Sequence, residues 1–180
     1  RCFRIIVVIA VTANFFGSGM NAVFLPFCLG KGLDVVQYGY LMSLQSISAL
    51  IGTIVIGTLN IKSELRIKMM LFGFPLSSLL FAVCYSMQTF NTLALSFLIT
   101  FFVSAVANAI LNAAFMLVIP REKRAMISGF IMMASSGGQA LSSLVFGLVA
   151  EFVDLSFLGT VSSLISILPF ALMFIYPEVQ

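Results

Sequence analysis

The 15 charged residues of this 180-residue chain all lie outside six long apolar stretches, which therefore contain no charge at all. The stretches cover residues 5–30, 38–61, 69–87, 93–119, 125–150 and 155–176. A helix needs about 20 mainly apolar residues to cross roughly 30 Å of hydrocarbon, and each stretch has this length. The stretches are continuous, whereas a membrane β-barrel has alternating segments of about ten residues. The sequence therefore predicts an all-α integral membrane protein with six transmembrane helices.

The composition excludes most other classes of protein. Hydrophobic residues make up 61% of the chain and charged residues 8%, against about 45–50% and about 25% in soluble domains. A soluble fold and a nucleic-acid-binding surface are therefore excluded. The chain has no His, so a Ser-His-Asp or Cys-His pair cannot form. The three cysteines, Cys2, Cys28 and Cys84, lie too far apart in sequence for a CxxC motif. We expect no enzyme activity, no cofactor and no metal site.

The basic residues lie almost entirely at one side of the predicted bundle. We call side A the side that holds residue 1 and side B the opposite one. Side A carries Arg1, Arg4, Lys62, Arg66, Lys68, Arg121, Lys123 and Arg124, and side B carries Lys31. The positive-inside rule places side A in the cytoplasm. Both termini are then cytoplasmic, and we expect the protein in a bacterial cytoplasmic (inner) membrane.

The two halves of the chain resemble one another when the sequence is shifted by 90 residues. The identical pairs in the second and fifth stretches are Gly39 and Gly129, Met42 and Met132, Ser46 and Ser136, Val55 and Val145, and Gly57 and Gly147. The pattern predicts a first three-helix unit, residues 1–90, and a second unit, residues 91–180. Because each unit has three spans, the second is inverted relative to the first, as in many secondary transporters.

Three segments resemble the carboxy-terminal half of a major facilitator superfamily transporter. Residues 21–57 resemble the first span, the short outer loop and the second span of that half. Residues 119–129, IPREKRAMISG, resemble the Pro-basic loop between its fourth and fifth spans. The fifth stretch spaces Gly129, Gly138 and Gly147 as in the Gly-rich motif of the exporters, although the Pro and two Gly of that motif are replaced. The overall sequence pattern is most similar to that of the macrolide and multidrug efflux branch.

The resemblance implies half of a twelve-helix fold that moves a small molecule by alternating access, without any chemical step.

 The partners that it implies are a small-molecule substrate, the lipid bilayer and a second six-helix half that faces this one. Since the chain opens on Arg1 rather than Met, we expect that half to precede it in a longer permease that exports a drug-like or other organic solute. The alternative is a self-contained six-span protein that acts as a homodimeric transporter or channel.

Uncharged polar residues mark candidate faces for a substrate cavity. Asn14, Ser18 and Asn21 share one face of the first predicted helix, and Ser104, Asn108 and Asn112 share one face of the fourth. In the family, this pair of helices lines the central cavity. Gln45 and Gln139 add an amide each from the second and fifth helices. Amides both donate and accept hydrogen bonds, which favours an uncharged or mixed substrate. The alternative role for these residues is hydrogen bonding between helices.

Overall fold

The computed structural model describes residues 2–59, 63–119 and 121–168, and this part of the chain is helical apart from short connections. Six α-helices follow one another: α1 (Cys2–Gly30), α2 (Val35–Thr58), α3 (Ser63–Ser86), α4 (Phe90–Val118), α5 (Arg124–Val149) and α6 (Leu155–Ile165). A single 3-10 turn, Arg121–Lys123, leads into α5. The predicted all-α class and the order of six helices are therefore confirmed.

Five of the six helices begin before the apolar stretch that predicted them. The largest difference at a helix start is at α3, which begins at Ser63 instead of residue 69, because a helix continues through flanking charged residues that hydropathy leaves out. α6 ends at Ile165, before the predicted end of the sixth span. Among the described residues, three segments are long and apolar enough to cross a membrane: Val35–Thr58, Phe90–Ala113 and Arg124–Val149. Residues 60–61 of the second predicted span and 169–176 of the sixth lie outside the described residues.

The connection between α1 and α2 is short and fully hydrogen-bonded. The Gly32 N–H donates to the Leu29 carbonyl and the Leu33 N–H to the Cys28 carbonyl, both at 3.0 Å. These two bonds form a Schellman motif, which satisfies the last carbonyls of α1. Gly32 has φ +78°, a conformation that L residues adopt only at a cost. The glycine is therefore required by the turn itself.

A capping box begins α2 immediately after this turn. The Asp34 carboxylate accepts a hydrogen bond from the Gln37 N–H at 2.7 Å, and the Asp34 N–H donates to Gln37 Oε1 at 3.1 Å. Asp154 caps α6 in a similar way, accepting from the Phe157 N–H at 2.9 Å. Asp34 and Asp154, two of the three acidic residues on side B, thus serve as helix caps, and a negative charge is favourable at a helix N-terminus.

We expect Gly32→Ala to destabilise the protein by about 1–2 kcal/mol, the cost of a left-handed backbone for an L residue. A Cβ at Gly32 would meet no atom within 4 Å, so the backbone alone carries the effect. Thermal unfolding of the full-length protein in detergent measures it. Gly30→Ala is the matched control, because Gly30 also has open space around it and ends a regular helix. Equal melting temperatures for the two variants would contradict the role of the turn.

The main packing contacts connect the helices in the order α5, α1, α6, α3, α4 and α2. α1 packs on α5 and α6, α2 packs on α4, and α3 packs on α4 and α6. Small residues bring the backbones together: a Cβ on Gly52 of α2 would lie 3.0 Å from the Phe102 carbonyl oxygen and 3.1 Å from Ala105 Cβ on α4. Two serine hydroxyls join helix pairs directly. Ser48 donates to the Leu98 carbonyl across α2 and α4, and Ser142 donates to the Phe15 carbonyl across α1 and α5.

Six aromatic side chains form a closed circuit near side B. We call them the aromatic hexad: Phe24 and Phe27 of α1, Phe81 and Tyr85 of α3, and Phe97 and Phe101 of α4. Neighbouring ring centroids around the circuit lie between 4.9 and 6.5 Å apart. These distances fall within the range in which aromatic pairs attract one another. The hexad therefore ties α1, α3 and α4 together at one end of the bundle.

Candidate functional site

A cavity of about 260 Å³ lies on the side A flank of the aromatic hexad. Its walls come from α1, α2, α3, α4 and α6. Five of the six hexad side chains line it, namely Phe24, Phe81, Tyr85, Phe97 and Phe101. The hexad therefore forms an apolar floor that closes the cavity toward side B.

Six of the eight predicted cavity residues line this space. They are Asn14, Ser18 and Asn21 of α1, Gln45 of α2, and Ser104 and Asn108 of α4. Asn21 and Asn108 are exposed, so their amides lie at the open rim of the cavity. Asn108 Nδ2 donates to the Ser104 carbonyl at 2.9 Å. Its Oδ1 remains available as an acceptor.

Asn14 also joins α1 to α5. Its Nδ2 lies 3.5 Å from Ser135 Oγ, and its Oδ1 accepts a hydrogen bond from Gln139 Nε2 at 3.1 Å. Ser142, one turn further along α5, donates to the Phe15 carbonyl. The polar face of α5 that carries Ser135, Gln139 and Ser142 thus faces α1. Gln139 bonds to a cavity residue without lining the cavity itself, so hydrogen bonding between helices and cavity lining coexist at Asn14.

Asn112 lies apart from the other predicted residues. It is exposed on α4, one turn toward side A from Asn108, and it is not among the residues that line the cavity. The helical spacing that grouped it with Ser104 and Asn108 is regular, but the cavity ends before this turn.

A second polar wall was missed by the predicted site. We call it the hydroxyl wall: Ser77 and Ser78 of α3 with Ser162, Ser163 and Ser166 of α6. All five serines are buried, yet all line the cavity. The SerSer pairs of the third and sixth stretches were visible in the sequence, but only the packing of α3 against α6 brings them to one space.

The described lining residues carry no formal charge. Amides, hydroxyls and aromatic rings bind organic molecules by hydrogen bonds and ring contacts, and a few such polar groups in a largely apolar pocket are typical of small-molecule sites. An isolated ion would lose its hydration here without gaining a counter-charge. The geometry therefore favours an uncharged occupant. Among the residues described, no group of three or more metal-binding side chains is found.

Comparison with known families decides the identity of the fold. The model of the Major Facilitator Superfamily matches residues 7–180. The chain belongs to the major facilitator superfamily. No curated protein and no solved structure matches it.

Membership assigns a general function to the fold. Major facilitator proteins are secondary transporters of small solutes that sit in lipid, and they are not enzymes. The apolar helices of this major facilitator fit an integral membrane protein. The predicted superfamily and the transport class are therefore confirmed.

Proposed function

We propose that this chain is one six-helix half of a twelve-helix permease that exports a small, uncharged, drug-like organic solute by alternating access. The observation that carries the proposal is the cavity itself, which is lined by amides from α1, α2 and α4 and has aromatic rings at its floor. Transporters of this type bind substrate near the midplane between matching units. The solute would enter over the amide rim and rest against the hexad.

The helix contacts support an inverted repeat of units 1–90 and 91–180. Exchanging α1 with α4, α2 with α5 and α3 with α6 leaves the five main packed pairs unchanged as a set, since α1–α5 becomes α4–α2 and α3–α4 becomes α6–α1. Within the described residues, the smaller contact between α1 and α2 has no counterpart of similar extent between α4 and α5. Individual contacts follow the 90-residue shift. Gly52 packs on Ala105, and their counterparts Ser142 and Phe15 are hydrogen-bonded.

The rim also supports a second half as partner. Asn21 and Asn108 are exposed at the open side of the cavity, where a facing six-helix bundle would enclose them. Asn112 lies on the same side of α4 and would line the shared passage in that assembly. Side A, with its basic residues, faces the cytoplasm of a bacterial cell in this proposal.

Replacing Asn108 by Leu in the full-length permease is expected to reduce solute export about tenfold or more. The substitution removes an amide from the rim without adding a charge, and a lost hydrogen bond costs about 0.5–1.5 kcal/mol, with a further loss if a polar group of the solute stays unpaired. Efflux of 7-amino-4-methyl-2-quinolinone, an uncharged fluorescent dye with an amide N–H donor, from preloaded cells measures the rate. The amount of folded protein in the membrane is measured in parallel.

Asn91→Leu is the matched control, because Asn91 is an exposed amide on the same helix and does not line the cavity. We expect wild-type export from this variant. If Asn108→Leu exports the dye as fast as wild type at equal protein level, the amide rim is not the transport site.

A further inference from the structure

The hydroxyl wall and the amide rim (Asn21 and Asn108) present different hydrogen-bonding groups to the cavity. Four of its serines donate to carbonyls of their own helix: Ser77 to Phe74 at 2.8 Å, Ser162 to Gly159 at 3.0 Å, Ser163 to Gly159 at 2.7 Å and Ser166 to Ser162 at 2.8 Å. A serine hydroxyl has one proton and two acceptor lone pairs. The protons of these four are already used, so the wall presents acceptors to the cavity.

Ser78 is the exception within the wall. Its side chain is 7% exposed and lines the cavity. Among the residues that the structure describes, its hydroxyl has no hydrogen-bond partner, although every fully enclosed side-chain oxygen there has one. A polar group that is removed from bulk water without a partner costs free energy. The Ser78 hydroxyl is therefore placed to bond to whatever fills the cavity.

Close helix packing does not account for the wall. Small residues allow two helices to touch, as Gly52 does where α2 meets α4. The five serines instead border open space, which they share with Phe81 and Tyr85 of the floor. An alanine would leave the same space at no polar cost. The Ser78 hydroxyl thus gains a hydrogen-bond partner only when the cavity is occupied.

We infer that the hydroxyl wall is a subsite that accepts hydrogen bonds from a neutral aromatic solute bearing hydroxyl or amide donors. The inference rests on the proposed function and names the substrate class of that cavity. Acceptor lone pairs repel an anion, and no acidic residue among the described lining residues balances a cation. The aromatic floor provides ring faces and edges for the body of the solute.

Four probes of one size test the donor requirement. They are 4-hydroxybenzamide, which is neutral with two donor groups; 4-methoxybenzonitrile, in which both donor groups are blocked or replaced; 4-hydroxybenzoate, an anion; and 4-hydroxybenzylamine, a cation. The full-length protein in detergent is heated with a thiol-reactive fluorogenic dye. Cys28 and Cys84 are 0% exposed and react when the protein unfolds. A Cys2→Ser background removes the third thiol.

We expect 4-hydroxybenzamide to raise the melting temperature in a saturable way and the other three probes to leave it within error. Ser78→Ala should weaken the apparent affinity for 4-hydroxybenzamide about three- to tenfold, as the loss of one hydrogen bond predicts. The variant breaks no hydrogen bond within the described residues, so its unliganded melting temperature should stay unchanged. Ser43→Ala is the control, since Ser43 is exposed and bonds only to the Gly39 carbonyl.

The outcomes separate this inference from the proposed function. Equal stabilisation by the donor-blocked probe, or by either ion, overturns the inference. So does an unchanged affinity in Ser78→Ala, or no stabilisation by any probe. In each of these cases the effect of Asn108→Leu on export of the quinolinone dye still decides the transport role of the cavity. Loss of that effect alone, with Ser78-dependent binding intact, would overturn the proposed function and leave a binding site.

Discussion

Phe97→Ala is expected to lower the melting temperature of the full-length protein by roughly 5–10 °C, the shift for a loss of about 2–4 kcal/mol. Phe97 is 3% exposed. Its ring centroid lies 5.0 Å from that of Phe24 and 4.9 Å from that of Phe101. Lipid offers no hydrophobic drive for packing between helices, so the cost arises from lost contacts and from the space left behind. Dye reaction with Cys28 and Cys84 on heating measures the shift.

Phe157→Ala is the control for this substitution, because Phe157 is a helical phenylalanine that is 63% exposed. We expect its melting temperature within about 2 °C of wild type, as for most exposed substitutions. If both variants unfold at the same temperature, the hexad does not stabilise the bundle.

Gly159→Ala is expected to destabilise the protein strongly, although it adds only a single carbon atom. A Cβ at this position would lie 2.6 Å from Tyr85 Cγ and 2.8 Å from Cδ1 and Cδ2, so α6 or the ring must move. The Tyr85 ring has little freedom, because it meets Phe27 edge-on at 5.4 Å and stacks on Phe81 at 6.5 Å. Overpacking of this kind costs about 1–3 kcal/mol. The same thermal assay measures the loss.

Gly39→Ala is expected to stabilise the protein instead. Gly39 lies within α2 and has no atom within 4 Å of a Cβ, so alanine gains about 0.5–1 kcal/mol of helix stability. Two glycine-to-alanine changes in helices then differ only in what the new methyl group meets. An unaffected Gly159→Ala would contradict the packing described for α3 and α6, and a destabilised Gly39→Ala would contradict the open space around that residue of α2.

The fold could be predicted from the sequence because charge and hydropathy act locally. A charged residue cannot lie in hydrocarbon without a large cost, so the charges marked the helix connections directly. The same rule failed at the start of α3, where the helix continues from Ser63 through charged residues beyond the apolar stretch. The capping roles of Asp34 and Asp154 also required the structure, since a side chain caps a helix only in a particular backbone geometry.

The site could be predicted only in part. Helical periodicity grouped Ser104, Asn108 and Asn112 on one face, but how far the cavity extends along α4 depends on the neighbouring helices. The hydroxyl wall was missed because serines at helical spacing are equally typical of close packing. The hexad was missed since the chain has 19 Phe, and no pattern in one helix shows which rings will meet across three.

The four-residue joint between α1 and α2 has a mechanical consequence. The hydrogen bonds of the Schellman turn and the capping box fix the backbone of the segment from Lys31 to Asp34, and they therefore restrict the angle between α1 and α2. A rotation of α1 would therefore also rotate α2. In the proposed transport cycle the two helices would then move together as one rigid body, and any bending would take place within the helices and not at their connection.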